Sequence, residues 1–383
     1  MKATDLKETA AGKAVQTIRG FLAFVPAQLP PNLSFDAETV MRLSEADTAL
    51  AELSGLGRIL PNPHLLIAPL IRREAVLSSR IEGTQTSFEQ LLEAEASDEN
   101  PKPDDKNTDL REVRNYVLAL EYGLKRLPEL PLSLRMVREL HEKLMQNVRG
   151  DTATPGQFRR DQNWIGAPGS TPASARYVPP PADEMDTLLN NWESYLHDRD
   201  TLPVLVQCAI MHQQFEALHP FLDGNGRVGR LLITLFLVER GRLSQPLLYL
   251  SDFFERNRTA YYDQLLRVST EGAWIDWIRY FLVGVRDTSI DSSTRAKRLL
   301  EMRENLRQEV PEASLLVDQL FVNPFTTNQR AAKAMGVTVP TATKAIKKLE
   351  SIGYLVETSG RQWGKTYLAK QIMDALNEPV RKD

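Results

Sequence analysis

Apolar residues recur at helical spacing along most of this chain. AETVMRLSEADTALAELSGL, with Ser34 and Asp36 ahead of it as caps, and LLIAPLIRREAVLSSRIEG, set off by Pro61 and Pro63, predict two helices within 34–93, the second ending at Gly83. The acidic stretch 94–109, AEASDENPKPDDKNTD, holds Pro101 and Pro103 and almost no apolar residue, and predicts an exposed loop. Helical patterns resume from 110 to about 285. LREVRNYVLALEYGLKRL is followed by LSLRMVRELHEKLMQNV, in which Leu134, Val137, Leu140, His141 and Leu144 fall at i, i+3 and i+4 spacing. Further helices are expected over 185–197, 203–218 with Thr201 near its cap, and 225–240 closed by Gly241. Between them, 150–182 breaks the pattern: it is rich in Gly, Pro and Ser, with a short extended piece, Arg176-Tyr177-Val178, ahead of three prolines. A long ordered loop in a compact domain is usually functional.

After a polar helix near 292–307 the style changes. Helix, helix, proline, helix and then the alternating strands YLVET and KTYLA, over 312–370, follow the order of a winged helix-turn-helix. The chain therefore divides into an N-terminal helical region (1–109), a core (110–290), and a linker helix with a small terminal domain (291–383). A length of 383 residues suits two or three domains.

Composition narrows the class. With 42% hydrophobic and 25% charged residues, the chain has neither the apolar depletion of disordered proteins nor the enrichment of membrane proteins. No segment offers about 18 uninterrupted apolar residues, and the polar start, MKATDLKETAAGKAVQ, lacks the apolar centre of a secretory signal. The single cysteine, Cys208, excludes an intrachain disulfide framework and a cysteine-based zinc site, which points to a reducing cytoplasm. The net charge of -3 gives no global basic field, yet 326–370 holds eight Lys or Arg and two Glu, a local +6. That basicity, with Thr341, Thr343, Lys344, Lys347 and Lys348 on the expected recognition helix, leaves DNA or a protein partner open for this domain.

The chemistry concentrates in 219–230, His-Pro-Phe-Leu-Asp-Gly-Asn-Gly-Arg-Val-Gly-Arg. Pro220 ends the preceding helix, and a helix starting near Asn225 presents free N–H groups and the positive end of its dipole to the loop. Gly224 and Gly226 remove side chains there, so the backbone around Asn225 can cradle an anion, and Arg227 and Arg230 share one face of the first turn. Asp223 is placed to hold Mg²⁺ whose other ligands are phosphate oxygens. His219 titrates near neutrality and can take a proton from a hydroxyl. His141 and His212 fall on apolar faces and read as core histidines; His64 and His197 have no partner at metal-ligand spacing. There is no GxxxxGK(S/T) and no kinase signature set.

The same twelve residues resemble the signature of the Fic family, HxFx(D/E)GNGRxxR, at every defined position. The resemblance runs from the helices before Glu82 to about residue 285. It implies an all-helical core with a short β-hairpin flap, and winged helices are frequent companions in bacterial members. It implies a protein adenylyltransferase that moves AMP from Mg·ATP to a Ser, Thr or Tyr hydroxyl, self-modification included. His219 would then be the general base, Asp223 the magnesium ligand, Gly224, Asn225 and Gly226 the anion hole, and Phe221 the anchor of the loop. The ATP-binding run would continue through Arg227, Val228 and Gly229 to Arg230, which reaches the γ-phosphate. Residues 78–83, Ser-Ser-Arg-Ile-Glu-Gly, fit the family's inhibitory pattern (S/T)xxxE(G/N) through Ser78, Glu82 and Gly83, so Glu82 would compete with ATP for Arg230. Tyr177, Val178 and Pro179 would form the flap that holds an extended target, and Asn257, Tyr261 and Tyr262 would line the adenine site. A homodimer is compatible with this reading. The rival reading is a DNA-binding regulator whose Fic module only senses ATP, against which the intact His219 argues, because a sensor needs no base.

Overall fold

Helices dominate because most apolar residues sit at helical spacing. In the computed structural model, which describes residues 9–17, 19–59, 64–97, 108–148, 154–167 and 169–378, the two long N-terminal patterns form α1 (Ala37–Ile59) and α2 (His64–Ile81). Asp36 caps α1, its Oδ1 accepting the Thr39 amide at 3.0 Å. The Pro61 and Pro63 break lies outside the described residues, as does 98–107, the centre of the acidic stretch. That stretch is narrower than its composition suggests. Its first residues belong to α3 (Phe88–Ala96), which Ser87 and Gln90 start with a capping box, and α4 (Thr108–Arg126) begins before its end.

The centre of the core is α7 (Val204–Leu218) against α8 (Asn225–Glu239). Both are apolar nearly all round and buried along most of their length, as a helix without a wet face must be. Around them pack α4, α5 (Leu134–Leu144), α6 (Met185–Leu196), the short α9 (Ser251–Arg256), α10 (Arg258–Glu271) and α11 (Trp274–Glu309), while α1 lies along α11. The polar helix expected near 292–307 is the second half of α11, which runs unbroken for 36 residues. Thr201 does not cap α7; Pro203 occupies that position, and the Thr201 amide bonds Asp198 Oδ1.

The N-terminal region is not purely helical. Strands β1 (Gly12–Gln16) and β2 (Leu22–Pro26) form an antiparallel hairpin with Gly12 opposite Pro26. Strand β2 is buried at four of its five positions, so LAFVP shows no alternation that would mark it as a strand.

The C-terminal residues form α12 (Ser314–Val322), β3 (Phe325–Thr327), α13 (Asn328–Met335), α14 (Val339–Ser351), β4 (Val356–Glu357), β5 (Thr366–Leu368) and α15 (Lys370–Asn377). The sheet order is β3-β5-β4, all antiparallel, with Leu368 opposite both Phe325 and Val356. The order of helix, helix, helix, strand and strand expected over 312–370 is present, with β3 and α15 in addition. It docks on the N-terminal helices: α12 packs on α2, Asn323 Nδ2 donates to the Leu92 carbonyl at 2.9 Å, and Arg330 Nη1 to the Glu95 carbonyl at 2.5 Å. Among the described residues no helix is long and apolar enough to cross a membrane.

Candidate active site

The site forms where α7 ends and α8 begins. His219 takes a left-handed conformation (φ 47°), uncommon for a residue with a Cβ, and so turns the chain sharply out of α7. Two neighbours hold that turn. Arg159 Nε donates to the His219 carbonyl at 2.9 Å, its amide to the Pro220 carbonyl at 2.8 Å, and Asn163 Nδ2 to the Phe221 carbonyl at 2.8 Å. Asn225 closes the loop on itself, accepting the Phe221 amide and donating to the Phe221 carbonyl, both at 2.8 Å. The middle residue of Gly-Asn-Gly is thus a strut inside the loop.

Phe221 is fully buried and stacks on His141 with ring centroids 3.7 Å apart. His141 Nδ1 accepts the Gly156 amide at 2.9 Å, which leaves the proton on Nε2 to donate to the Asp223 carbonyl at 3.0 Å. Burial pushes its pKa down to about 4, so the ring stays neutral in this role. We expect Phe221→Ala to cost about 3 kcal/mol, the scale of emptying a buried phenyl site. A thermal unfolding midpoint unchanged from wild type would contradict the anchoring role.

The catalytic candidate itself is tuned by position. His219 Nδ1 lies 3.3 Å from the Glu216 carbonyl oxygen, which can only accept, so Nδ1 carries the proton and Nε2 keeps its lone pair. Burial first, and the Arg159 charge second, lower its pKa to about 4 against the opposing pull of Glu82 and Asp223. At neutral pH it is a free base.

The first turn of α8 is the candidate anion site. Gly224 (φ 78°) is its N-cap and offers no side chain to the first-turn amides, which therefore point to the loop uncapped. A Cβ on Gly224 would meet Met145 Sδ at 2.8 Å, and one on Gly226 would meet Glu82 Oε1 at 2.3 Å and Arg230 Nη1 at 2.9 Å. Gly226 thus makes room for Glu82. Asp223 is half exposed, its Oδ1 accepting the Gly224 amide at 2.6 Å and lying 3.6 Å from Arg227 Nη2. Arg227 is buried, with Nη1 at 3.4 Å from Glu112 Oε2 and an Nε that has no hydrogen-bond partner among the described residues. Val228 is fully buried, and Gly229 lets α8 close on α7, since a Cβ there would meet Glu216 Oε1 at 2.3 Å and Phe215 Cδ1 at 3.2 Å.

Arg230 is already engaged. Its side chain is 1% exposed; Nη2 reaches Glu82 Oε1 at 2.6 Å and the Ser78 carbonyl at 3.0 Å, and Nε donates to Ser78 Oγ at 2.9 Å. Gly83 (φ 100°) ends α2 just past Glu82, so the carboxylate projects from the helix end toward α8. Burial alone would raise the Glu82 pKa, but the Arg230 charge and hydrogen bond, with Arg227 and His219 behind them, hold it below the usual carboxylate range. Burial is the largest single influence on Arg230 and would lower its pKa, but Glu82 and the neighbouring Tyr261, Tyr262 and Glu216 together outweigh it and move it up.

The flap is only part of what the sequence suggests. Tyr177 and Val178 are buried, the Tyr177 hydroxyl donates to the Ala217 carbonyl at 2.9 Å, and the expected hairpin reduces to one antiparallel bridge between Ile165 and Tyr177. Pro179 to Pro181 lack the N–H groups to extend it. The Pro179 carbonyl is taken by Gln162 Nε2 at 2.9 Å. The N-terminal hairpin also uses this segment, because the Phe24 amide donates to the Val178 carbonyl at 2.9 Å. Of the three residues expected at an adenine site, Tyr261 is fully buried, bonds His212 Nε2 at 2.8 Å and stacks on Phe254. Tyr262 leans on it with Arg258 over its ring, and Asn257 Nδ2 bonds the Phe253 carbonyl at 2.9 Å.

Arg159, Asn163, Glu112 and Glu216 escape a sequence reading. Glu216 sits one turn before His219, and burial pushes its pKa up to about 8 despite Arg230, so it is largely protonated at neutral pH beside the Glu82–Arg230 pair. The one signal for Arg159 and Asn163 is a charged run, FRRDQN, inside a Gly- and Pro-rich loop. Among the described residues, no group of three or more His, Cys, Asp or Glu is arranged to hold a metal by itself.

A fold of this order with a tight Gly-Asn-Gly turn between its two central helices defines a class, and comparison with known proteins agrees. Residues 40–125 match the Fic/DOC family N-terminal model and 131–237 the Fic/DOC family model; the chain belongs to the Fic/DOC family. It is 25% identical over 206 residues to "Protein adenylyltransferase Fic" of Drosophila melanogaster, a match covering 52% of this chain and only 37% of that protein. It is 27% identical over 278 residues to a "Probable protein adenylyltransferase" of Aquifex aeolicus, covering 70% of this chain and 77% of the other. The crystal structure of a Fic family protein from Desulfovibrio desulfuricans G20 shares the fold, with a TM-score of 0.56 at 20% identity over 89% of this chain and 98% of that one.

Proposed function

We propose that this chain transfers AMP from Mg·ATP to a protein hydroxyl and is held back by Glu82. The observation that carries the reading is the convergence of three groups on one helix start: the uncapped amides of Asn225 and Gly226, two buried arginines, and a neutral imidazole. The relatives' names favour adenylate as the transferred group, and the intact Gly-Asn-Gly-Arg run fits a site that holds a polyphosphate.

In this mechanism the amides and Arg227 bind the α- and β-phosphates, charge-assisted and shielded from water. Asp223, half exposed beside the cradle, would hold Mg²⁺ with phosphate oxygens completing the shell, the ion neutralising charge on the departing pyrophosphate. The target oxygen attacks the α-phosphorus, its proton passes to His219 Nε2, and the bond to the β-phosphate oxygen breaks. Pyrophosphate leaves and the AMP ester stays on the target. Arg230 serves the γ-phosphate only once Glu82 has let go.

Because His219 loses its proton near pH 4, the base is competent throughout the neutral range. We expect transfer by the Glu82→Gly variant to be flat in pH from about 6 to 8, with its acid limb well below the ordinary histidine range. A limb centred near pH 6.5 would show that His219 is not the buried base described. Reaction type is tested by supplying ATP labelled on the α- or the γ-phosphate: label in protein from the α position alone fits adenylyl transfer, whereas γ label would mean a phosphotransferase. The chain itself is an expected target, alongside a partner whose identity main-chain pairing with the flap does not specify.

A further inference from the structure

The outward face of the C-terminal domain is built for a polyanion. In α14, which packs against α13, the buried positions are Ala342, Ala345, Ile346 and Leu349. The opposite stripe, Thr341, Lys344, Lys347, Lys348 and Ser351, is exposed and free of carboxylates. Three lysines thus line one face at helical spacing, in a region of net +6 within a chain of -3.

A second element extends this face. Between β4 and β5 the chain forms a tight wing: the Thr358 amide donates to the Thr366 carbonyl at 3.0 Å, and Gly360 and Gly364 take left-handed conformations (φ 62° and 66°). Glu357 is consumed inside the turn, its Oε1 accepting the Ser359 and Gly360 amides at 2.8 and 2.9 Å, which pulls the wing's own carboxylate away from its tip. The tip presents Arg361, Gln362 and Trp363, and Trp363 is 88% exposed. An indole held in water between a guanidinium and the Lys365 ammonium costs hydrophobic free energy unless something covers it.

From this pairing of a lysine-lined helix face with a basic wing tipped by Trp363, we propose that the C-terminal domain binds duplex DNA, the helix face lying against one groove and the wing reaching the next. Duplex fits better than an acidic protein because two separate elements, a helix and a turn, carry the charge, as successive phosphate ridges require, and because a flat aromatic tip suits a base or sugar edge. The surface lies apart from the transfer site, so the proposal stands independently of the adenylyltransferase reading. It has a structural route back to that site, since α12, Asn323 and Arg330 rest on α2 and α3, the helices flanking Glu82.

The test uses the full chain and a fluorescent mixed-sequence duplex of about 20 base pairs, followed by anisotropy at increasing salt. With Lys344, Lys347, Lys348, Arg361 and Lys365 on phosphates, log K should fall against log salt with a slope of about −4.5. Lys344→Glu/Lys347→Glu/Lys348→Glu should weaken binding more than tenfold and flatten the slope. Trp363→Ala should weaken it about tenfold with the slope kept, since stacking is salt-indifferent. All these side chains are exposed or nearly so, and the variants should keep the wild-type unfolding midpoint. No salt-dependent binding by the wild type, or equal binding by the charge-reversed variant, would overturn the proposal. Displacement by polyglutamate as effective as by unlabelled duplex would overturn it in favour of an acidic protein partner.

Discussion

Glu82→Gly is expected to raise AMP transfer by at least about tenfold, the equivalent of 1.4 kcal/mol off the barrier. Arg230 is nearly inaccessible, and its two terminal contacts are the Glu82 carboxylate at 2.6 Å and the Ser78 backbone and hydroxyl. A γ-phosphate has to displace the carboxylate, because a planar guanidinium offers one forked face at a time. Removing Glu82 does not strand the cation. Ser78 still accepts from it, and Glu74, buried at 2% exposure and hydrogen-bonded to Tyr116 and Ser251, remains in its field. Glu82→Gln, which keeps the shape and removes the charge, should fall between wild type and glycine. Acid alone will not substitute for the mutation. The depressed pKa means that the ion pair is intact above the ordinary carboxylate range and is lost only as pH falls through the lower folded value, so mild acidification leaves the brake on. Equal transfer rates for wild type and Glu82→Gly would remove the brake from the account.

The second large effect runs the other way. His219→Ala, made in the Glu82→Gly background, lowers turnover about a thousandfold, within the usual range for removing a positioned base. Nucleotide affinity should move by less than about threefold, because the uncapped amides of α8 and the two arginines are untouched. The split separates a base from a structural residue: if His219 mainly shaped the turn, nucleotide binding would fall together with the rate. Tryptophan or nucleotide-analogue fluorescence reports affinity while label transfer reports turnover.

Much of the site was legible because it is local. From His219 to Arg230 every group lies within four turns of chain, and helix-start physics alone gives the cradle. The inhibitory pattern was legible as spelling, but its geometry was not: Ser78 and Arg230 are 152 residues apart in sequence, and only the packing of α2 on α8 brings them together. The supports were hidden for the same reason. Arg159 and Asn163 come from an irregular loop, His141 from α5 and Glu112 from α4, and each acts through a contact that no periodicity records. The hydropathy pattern placed the helices well and found β4 and β5 within YLVET and KTYLA, but it missed the N-terminal hairpin and β3. Strand β2 is buried on both faces and so has no alternation, and the 36 residues of α11 change from apolar to polar surroundings halfway, which looks like two elements. Tyr261 illustrates the limit of an aromatic pair on a helix. Its hydroxyl completes a core network with His212, and its burial is full.

The restraint on Arg230 ties these strands together, since the same side chain is asked to serve a phosphate and is found serving a carboxylate. The most direct measurement weighs intact protein after incubation with ATP and Mg²⁺, comparing wild type, Glu82→Gly, and Glu82→Gly with His219→Ala. The account predicts one or more added adenylates on Glu82→Gly, few on wild type, and none on the double variant. Adducts of phosphate mass, or adenylates that persist without His219, would contradict it.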